Sequence, residues 1–291
     1  MAKQEHDRLE PFLCWKTADP EERLFFRGGR FTRVNSACSF SIGALLTSLY
    51  YAVLLVPLRD SYLTQSFTQR GFVPYLISLL FFWALAALAI KRAKLRLQRR
   101  ALGVSVVPET LGFVLSPRTV DDVMNRIFAA CDDPKQFVLF NRILIALSNL
   151  RNLGRVTDVD DILRAQGAHD ESAMETSYSL LHGFVWAVPV LGFIGTVQGL
   201  SVAIGSFGLV LGGGGELTEL KESLRAVTAG LSTAFETTFQ GLVAALILQL
   251  LLTALKKSEE EFLDACMEYC VRNIVGKLRL MPYEGDETQP D

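Results

Sequence analysis

From Phe184 to Phe207 the chain reads FVWAVPVLGFIGTVQGLSVAIGSF, 24 residues without one charge. A helix that is apolar all round has no aqueous face, and crossing bilayer hydrocarbon takes about 20 such residues. Within the run, Pro189, Gly192, Thr196, Gly199 and Ala203 recur at steps of three and four, which sets them on one side of a helix. A second helix, or something held between helices, is expected against that side.

Three further runs qualify as spans, so the four lie at about 37–58, 72–90, 183–208 and 226–255. Half of the 291 residues are hydrophobic and the net charge is -2, but their clustering carries the argument more than their number. The first run follows some 36 residues that include Arg23, Arg27, Arg30 and Arg33 and has no small-residue cleavage site, so it reads as a retained anchor. Those arginines are expected to orient the first span beside anionic lipid, with an interfacial helix as the alternative. Lys91, Arg92, Lys94, Arg96, Arg99 and Arg100 follow the second run, and Lys256 and Lys257 follow the fourth. The short connections carry only Arg59 and Arg70, then Lys221 and Arg225 among acids. By the excess of basic residues on the inner side, both termini and the middle region should face the cytoplasm. Cys14, Cys131, Cys266 and Cys270 fall there, with Cys38 near the inner end of span one, so reduced thiols are expected. No cysteine or histidine spacing suggests a metal, and no phosphate loop, nucleophile motif or basic aromatic surface suggests an enzyme or nucleic-acid binding.

The organisation expected is a cytoplasmic segment, 1–36; a hairpin of spans one and two, 37–90; a cytoplasmic helical region, 91–182; a second hairpin, 183–255; and a cytoplasmic helix and tail, 256–291. In the middle region Thr119, with Asp121 and Asp122 behind it, predicts a helix N-cap. Asp133 before Pro134 predicts another start, with apolar periodicity to Gly154, and Thr157 or Asp158 opens a third helix expected to stop near Gly167. From about Glu171 into span three, and from span four past Glu261, no breaker intervenes, so spans three and four should project as long cytoplasmic helices. The fold class is therefore an all-α integral membrane protein with four transmembrane helices, long extensions of helices 3 and 4, and a small helical cytoplasmic domain.

Span four carries Glu236, an ionisable group that costs about 2.5–3.5 kcal/mol at the centre of a membrane helix and so should face protein or water. Thr228, Ser232, Glu236 and Gln240 make a polar stripe at steps of four, beside a small-residue face of Gly230, Ala234, Thr237, Gly241 and Ala245. Such small residues also serve any packed bundle, as in the GxxxG of Gly195 and Gly199, and Thr196 and Thr238 could each bond a carbonyl one turn back in their own helices.

Two runs together, VPVLGFIGTVQGL from Val188 to Leu200 and GLSTAFETTFQGLVAAL from Gly230 to Leu246, resemble the MotA/TolQ/ExbB family of proton-channel subunits. The matching elements are Pro189, Gly192 and Gly195-Thr196-Val197-Gln198-Gly199 in the third helix, and Thr238 three residues before Gly241 in the fourth. The likeness covers about 180–275, and the four-span layout is similar to the MotA branch. Thr233 stands where many relatives carry a glutamate, with Glu236 one turn on, and Ile247 stands near a usual proline. The middle region shows no likeness to the charged rotor-contacting segment of flagellar stators. The resemblance implies a multi-pass subunit of a bacterial inner-membrane motor, about five copies around two copies of a single-span MotB-, TolR- or ExbD-like partner. The ion is H⁺ in preference to Na⁺, no other cofactor is expected, and the ion path would run by Thr196 and Thr238, with Thr237, Glu236 and Thr233 as further candidates. Pro189 would bend the third helix, and Gly192, Gly195, Gly199, Gly230 and Gly241 would allow close packing. The competing expectation is a non-conducting scaffold or signalling subunit that passes on a conformational change.

Overall fold

The computed structural model describes residues 13–55, 61–108, 113–116, 118–153, 157–212 and 217–278. Numbering only the helices longer than five residues, the order is α1 Ser36–Leu49, α2 Tyr62–Thr68, α3 Val73–Arg100, α4 Val120–Ala130, α5 Val138–Leu153, α6 Thr157–Ser177, α7 Ser179–Gly212 and α8 Leu217–Asn273. A π-helical turn, Tyr50–Leu55, follows α1. Four helical stretches are long and apolar enough to cross a membrane, Ser36–Val53, Val73–Gly103, Asp158–Gly208 and Leu220–Lys277. The described residues form no strand, only isolated bridges such as Leu13 with Cys131. The expected all-α, four-span membrane fold is what the chain adopts.

The chain divides into two compact units, one of Val34–Arg92 with Ser177–Lys257, the other of Met1–Arg33, Ala93–Thr176 and Ser258–Asp291. In the first, the membrane unit, α1 opens on Asn35, whose side chain accepts from the Ala37 amide at 2.9 Å. It crosses α3 closely, because a Cβ on Gly43 would stand only 2.5 Å from the Trp83 Cα. The Trp83 indole N–H donates to Ser39 Oγ at 3.1 Å, so its one polar group is met at the crossing. The connection expected as a plain loop contains α2, capped by Ser61, whose Oγ accepts from the Thr64 amide. It ends in Arg70 and Gly71; the glycine has φ +80°, a conformation that would strain any side-chain-bearing residue.

The other unit is built on α4, α5, α6 and the ends of α3 and α8. Val120, Val123 and Ile127 form the buried stripe of α4, and Phe137, Phe140, Ile143 and Leu147 carry the core through the start of α5. Residues 13–33 are folded into this unit. Trp15 is buried edge-on against Phe137 at 5.4 Å, and the Trp15 and Lys16 amides donate to the Asp132 carboxylate at 2.7 and 3.1 Å. No helix spans the four arginines, because Phe25 and Phe31 take positive φ and end helical geometry there. Buried Lys94 holds the segment from the other side, pairing with Glu21 and Asp19 and donating to the carbonyls of Gly29 and Arg33.

One expected boundary holds without its capping bond, and one moves. Thr119 precedes α4, but its hydroxyl folds back on the preceding turn, accepting from the Ser116 amide at 3.0 Å instead of capping the helix. Helix α6 does not stop at Gly167; it continues to Ser177. Gly167 lies beside the Arg142 guanidinium, which is held by Asp170 of the same helix at 3.0 Å, so this ion pair favours continuation. The Asp133–Pro134 start holds, with the Asp133 side chain accepting from Lys135, but it opens a 3₁₀ turn ahead of α5.

Candidate functional site

The site lies in the membrane unit, where α7 and α8 pack antiparallel along their small residues. On α7 the buried positions are Val188, Gly192, Gly195, Gly199 and Ala203; on α8 they are Gly230, Ala234, Thr237, Gly241 and Ala245. The backbones touch. A Cβ on Gly199 would stand 2.5 Å from the Gly230 carbonyl oxygen, one on Gly230 would stand 2.6 Å from the Gly199 carbonyl, and one on Gly241 would stand 3.0 Å from the Val188 carbonyl. Gly195 leaves room for the Thr237 side chain, whose Cβ a side chain at 195 would approach to 2.6 Å. This is the close approach that small residues at steps of three and four permit between membrane helices. Pro189 lies inside α7, which continues through it, and removes the amide that would otherwise bond the Val185 carbonyl.

At one edge of this seam the Thr196 and Thr238 hydroxyls are hydrogen-bonded to each other across the two helices. Each also reaches both nearby carbonyls. Thr196 Oγ1 lies 3.4 Å from Gly192 O in its own helix and 3.2 Å from Ala234 O in α8. Thr238 Oγ1 lies 3.1 Å from Ala234 O in its own helix and 3.1 Å from Gly192 O in α7. The arrangement is reciprocal: each threonine shares the carbonyl one turn behind its partner. Two hydroxyls carry two protons, so one donates to the other while the second donates to a carbonyl, and rotation of the hydroxyls exchanges these roles without moving a heavy atom. Both residues are half-buried.

The other candidates do not join this pair. Thr237 is fully buried in the seam with its hydroxyl on the Thr233 carbonyl at 2.8 Å, and Thr233 bonds the Ala229 carbonyl at 2.9 Å. Glu236 and Thr238 are two residues apart and so point about 200° apart around α8. Glu236 instead meets Arg70 in a two-pronged ion pair, Nε to Oε2 and Nη2 to Oε1, each at 2.8 Å. Ser232 and Tyr62 donate to the same carboxylate at 2.7 and 3.0 Å. Arg70 also donates to Ser232 at 2.8 Å, which closes a network around a carboxylate that retains 11% of its side-chain exposure. Arg70 is the residue that sequence reasoning missed. The available signal was charge balance, since a lone glutamate in a span calls for a cation and the short connection between the first two spans offers only Arg59 and Arg70.

Around the seam, Trp186, Phe193, Val197, Phe235, Phe239 and Leu242 are all more than half exposed, and only 28% of the most apolar windows of the third and fourth spans is buried within the chain. That surface calls for lipid or other chains. Fold and site together define a multi-pass, all-α membrane protein with a tightly packed helix pair bearing paired hydroxyls. Over residues 140–267 the chain matches the model of the MotA/TolQ/ExbB proton channel family. No curated protein and no solved structure matches the chain.

Proposed function

We propose that this chain is the ion-channel subunit of an energy-converting motor in the bacterial inner membrane, carrying protons and driving a single-span MotB/TolR/ExbD-like partner. The observation that carries the reading is the reciprocal Thr196–Thr238 cluster. Within the family's channel region, it offers hydroxyls that can switch between donor and acceptor at the edge of a rigid helix pair. Several copies, five by family resemblance, surround a dimer of the partner, whose membrane aspartate meets the Thr196–Thr238 edge. Both termini and the basic ends of α3 and α8 face the cytoplasm, as the excess of lysine and arginine at those ends supports. The four-span layout favours the MotA branch. The chain's work is mechanical and involves no enzymatic step.

Each charge that crosses the full potential releases about 2.3 kcal/mol per 100 mV. That is enough to exchange one or two interhelical contacts per step, so the output is stepwise motion of ring against partner. The seam of α7 and α8 would serve as the stiff wall, and Glu236, tied to Arg70, would hold the outer connection to α8 and not take part in proton transfer.

The test is Thr196→Val and Thr238→Val, which keep side-chain shape and remove the hydroxyls. Proton uptake by vesicles containing the chain and its copurified partner should fall at least tenfold while the complex retains its size on gel filtration. Loss of the complex together with flux would instead assign the threonines to packing. Dependent motion that persists after an uncoupler collapses the gradient would sink the motor reading and favour a scaffold.

A further inference from the structure

The single helical turn Pro20–Arg23 closes on an unexpected residue. Beyond it the Phe26 amide donates to Glu21 O and the Phe25 amide to Glu22 O, both at 3.1 Å. Paired bonds of this kind end a helix through one residue in left-handed backbone, a place usually taken by glycine because it has no Cβ. Here that residue is Phe25, at φ +64°, a strained conformation for a bulky side chain. No packing among the described residues offsets the strain, since Phe25 is 100% exposed and Leu24 beside it is 48% exposed. The turn is nonetheless firmly held. Asp19 accepts from the Glu21 amide at 3.1 Å, and buried Glu21 pairs with Lys94 and accepts from the Gly29 amide at 3.0 Å. Residues 23–33 carry four arginines and no acid, and all four arginines are exposed. Arg23 and Arg30 bond neutral oxygens, Thr17 O for the first and Lys135 O with Asn141 Oδ1 for the second, and so keep their charge.

We propose that the Leu24–Phe25 turn is a membrane-surface anchor, whose ring and leucine enter the boundary between headgroups and acyl chains while Arg23 and Arg27 meet the phosphates of anionic lipid. A projecting apolar pair set among arginines matches the two layers of a bilayer surface, apolar below and negative above. The chain also keeps the turn near such a surface. Phe25 lies eleven residues ahead of Ser36, where the first candidate span begins. Lys94, which holds Glu21, stands four residues, about 6 Å of helix, beyond the apolar run that ends at Ile90. Insertion of the ring supplies the apolar burial that the strained backbone at Phe25 lacks within the chain. The anchor rests on the chain's spanning a membrane and not on ion conduction, so failure of the flux experiment leaves it standing.

The full chain, with photoreactive benzoylphenylalanine in place of Phe25, is reconstituted in nanodiscs of phosphatidylcholine alone or mixed with phosphatidylglycerol, irradiated, and its peptides are weighed by mass spectrometry. Lipid adducts are expected on the peptide containing residue 25, about fivefold more of them in the anionic bilayer, the ratio that one arginine near a charged surface supplies. Arg23→Gln combined with Arg27→Gln should remove that dependence on lipid charge. Phe25→Gly separates the anchor from the fold, because glycine suits φ +64° and leaves the turn intact. In the unaltered chain, amide hydrogen exchange across residues 22–30 should be about fivefold slower in anionic nanodiscs than in detergent. In Phe25→Gly the two rates should be equal, with α-helical circular dichroism unchanged. Cross-links from residue 25 to protein in place of lipid, equal adduct yields in neutral and anionic bilayers, or bilayer protection that survives Phe25→Gly would overturn the proposal.

Discussion

Replacing Gly199 with alanine adds one methyl group where the backbones of α7 and α8 meet. The new Cβ would stand 2.5 Å from Gly230 O, 2.7 Å from Ala234 N and 3.1 Å from Ala234 Cα. None of these can swing aside, since all belong to the opposite main chain. To bring the shortest contact to an ordinary 3.4 Å the helices must separate locally by roughly 0.9 Å, and overpacking of this kind costs about 1–3 kcal/mol. The same displacement, passed one turn along α7, would stretch the cross-helix distances of 3.1 and 3.2 Å at Thr238 and Thr196 beyond hydrogen-bonding range. Gly205, six residues on in the same helix, is the control: a Cβ there meets nothing within 4 Å, and alanine should stabilise the helix by up to about 1 kcal/mol. Unfolding by SDS titration in mixed micelles, followed by circular dichroism, should therefore move in opposite directions for Gly199→Ala and Gly205→Ala. Proton flux should fall only in the first. Equal tolerance of both substitutions would refute the close-packed seam and, with it, the rigid placement of the hydroxyl pair.

Glu236→Gln and Arg70→Gln should each destabilise the membrane unit by about 3 kcal/mol, because each strands the opposite charge in a mostly buried network; a double mutant costing as much as the two singles added together would show that the pair is not coupled. Asp132 is the anchor of the N-terminal segment. Burial raises its pKa, but the amides of Trp15 and Lys16, the Cys14 thiol and the Asp133 amide outweigh that and hold it below its ordinary 3.8. A carboxyl with a depressed folded pKa contributes stability that is present above pH 3.8 and is lost as pH falls through the folded value. Trp15 fluorescence should therefore stay constant from pH 7 to about pH 4 and report release only below it, and Asp132→Asn should remove this acid transition; release of Trp15 already at pH 5–6 would contradict the assignment. Alkylation offers a further check. Burial pushes the Cys131 thiol up to about 12, so in the native protein at pH 8 a maleimide should modify half-exposed Cys14 well ahead of Cys131, and the order would reverse only if this unit were open.

The seam was largely legible in advance. Small residues recur at helical steps in two successive spans, a short connection makes those spans neighbours, and the stripes on Gly192–Gly199 and Gly230–Gly241 have little alternative but to face each other. Charged residues at the N-terminus read less well. Arg23, Arg27, Arg30 and Arg33 carry an expectation about orientation only, whereas the docking of their segment depends on Trp15 finding Phe137 and on Glu21 and Asp19 finding Lys94, pairings of 122, 73 and 75 positions' separation in the sequence. No local pattern encodes such distances. Glu236 shows the same division. Its presence in a span demanded a partner, but only the turn at Gly71 delivers Arg70 to it.

Composition and periodicity alone thus determined that this chain has four runs able to span a membrane and that its last two carry facing small-residue stripes, because bilayer thickness and helical pitch act on consecutive residues, while the resemblance of two motifs singled out Thr196 and Thr238. Only the tertiary structure decided which polar groups meet. It joined the two threonines across the seam, turned Glu236 to the far side of α8 toward Arg70, and set the Gln240 amide against Ser66. Rotation of 100° per residue separates neighbours in sequence onto different faces, and side-chain hydrogen bonds reach no further than about 3.5 Å, so the partner of each group is set by packing and not by sequence order.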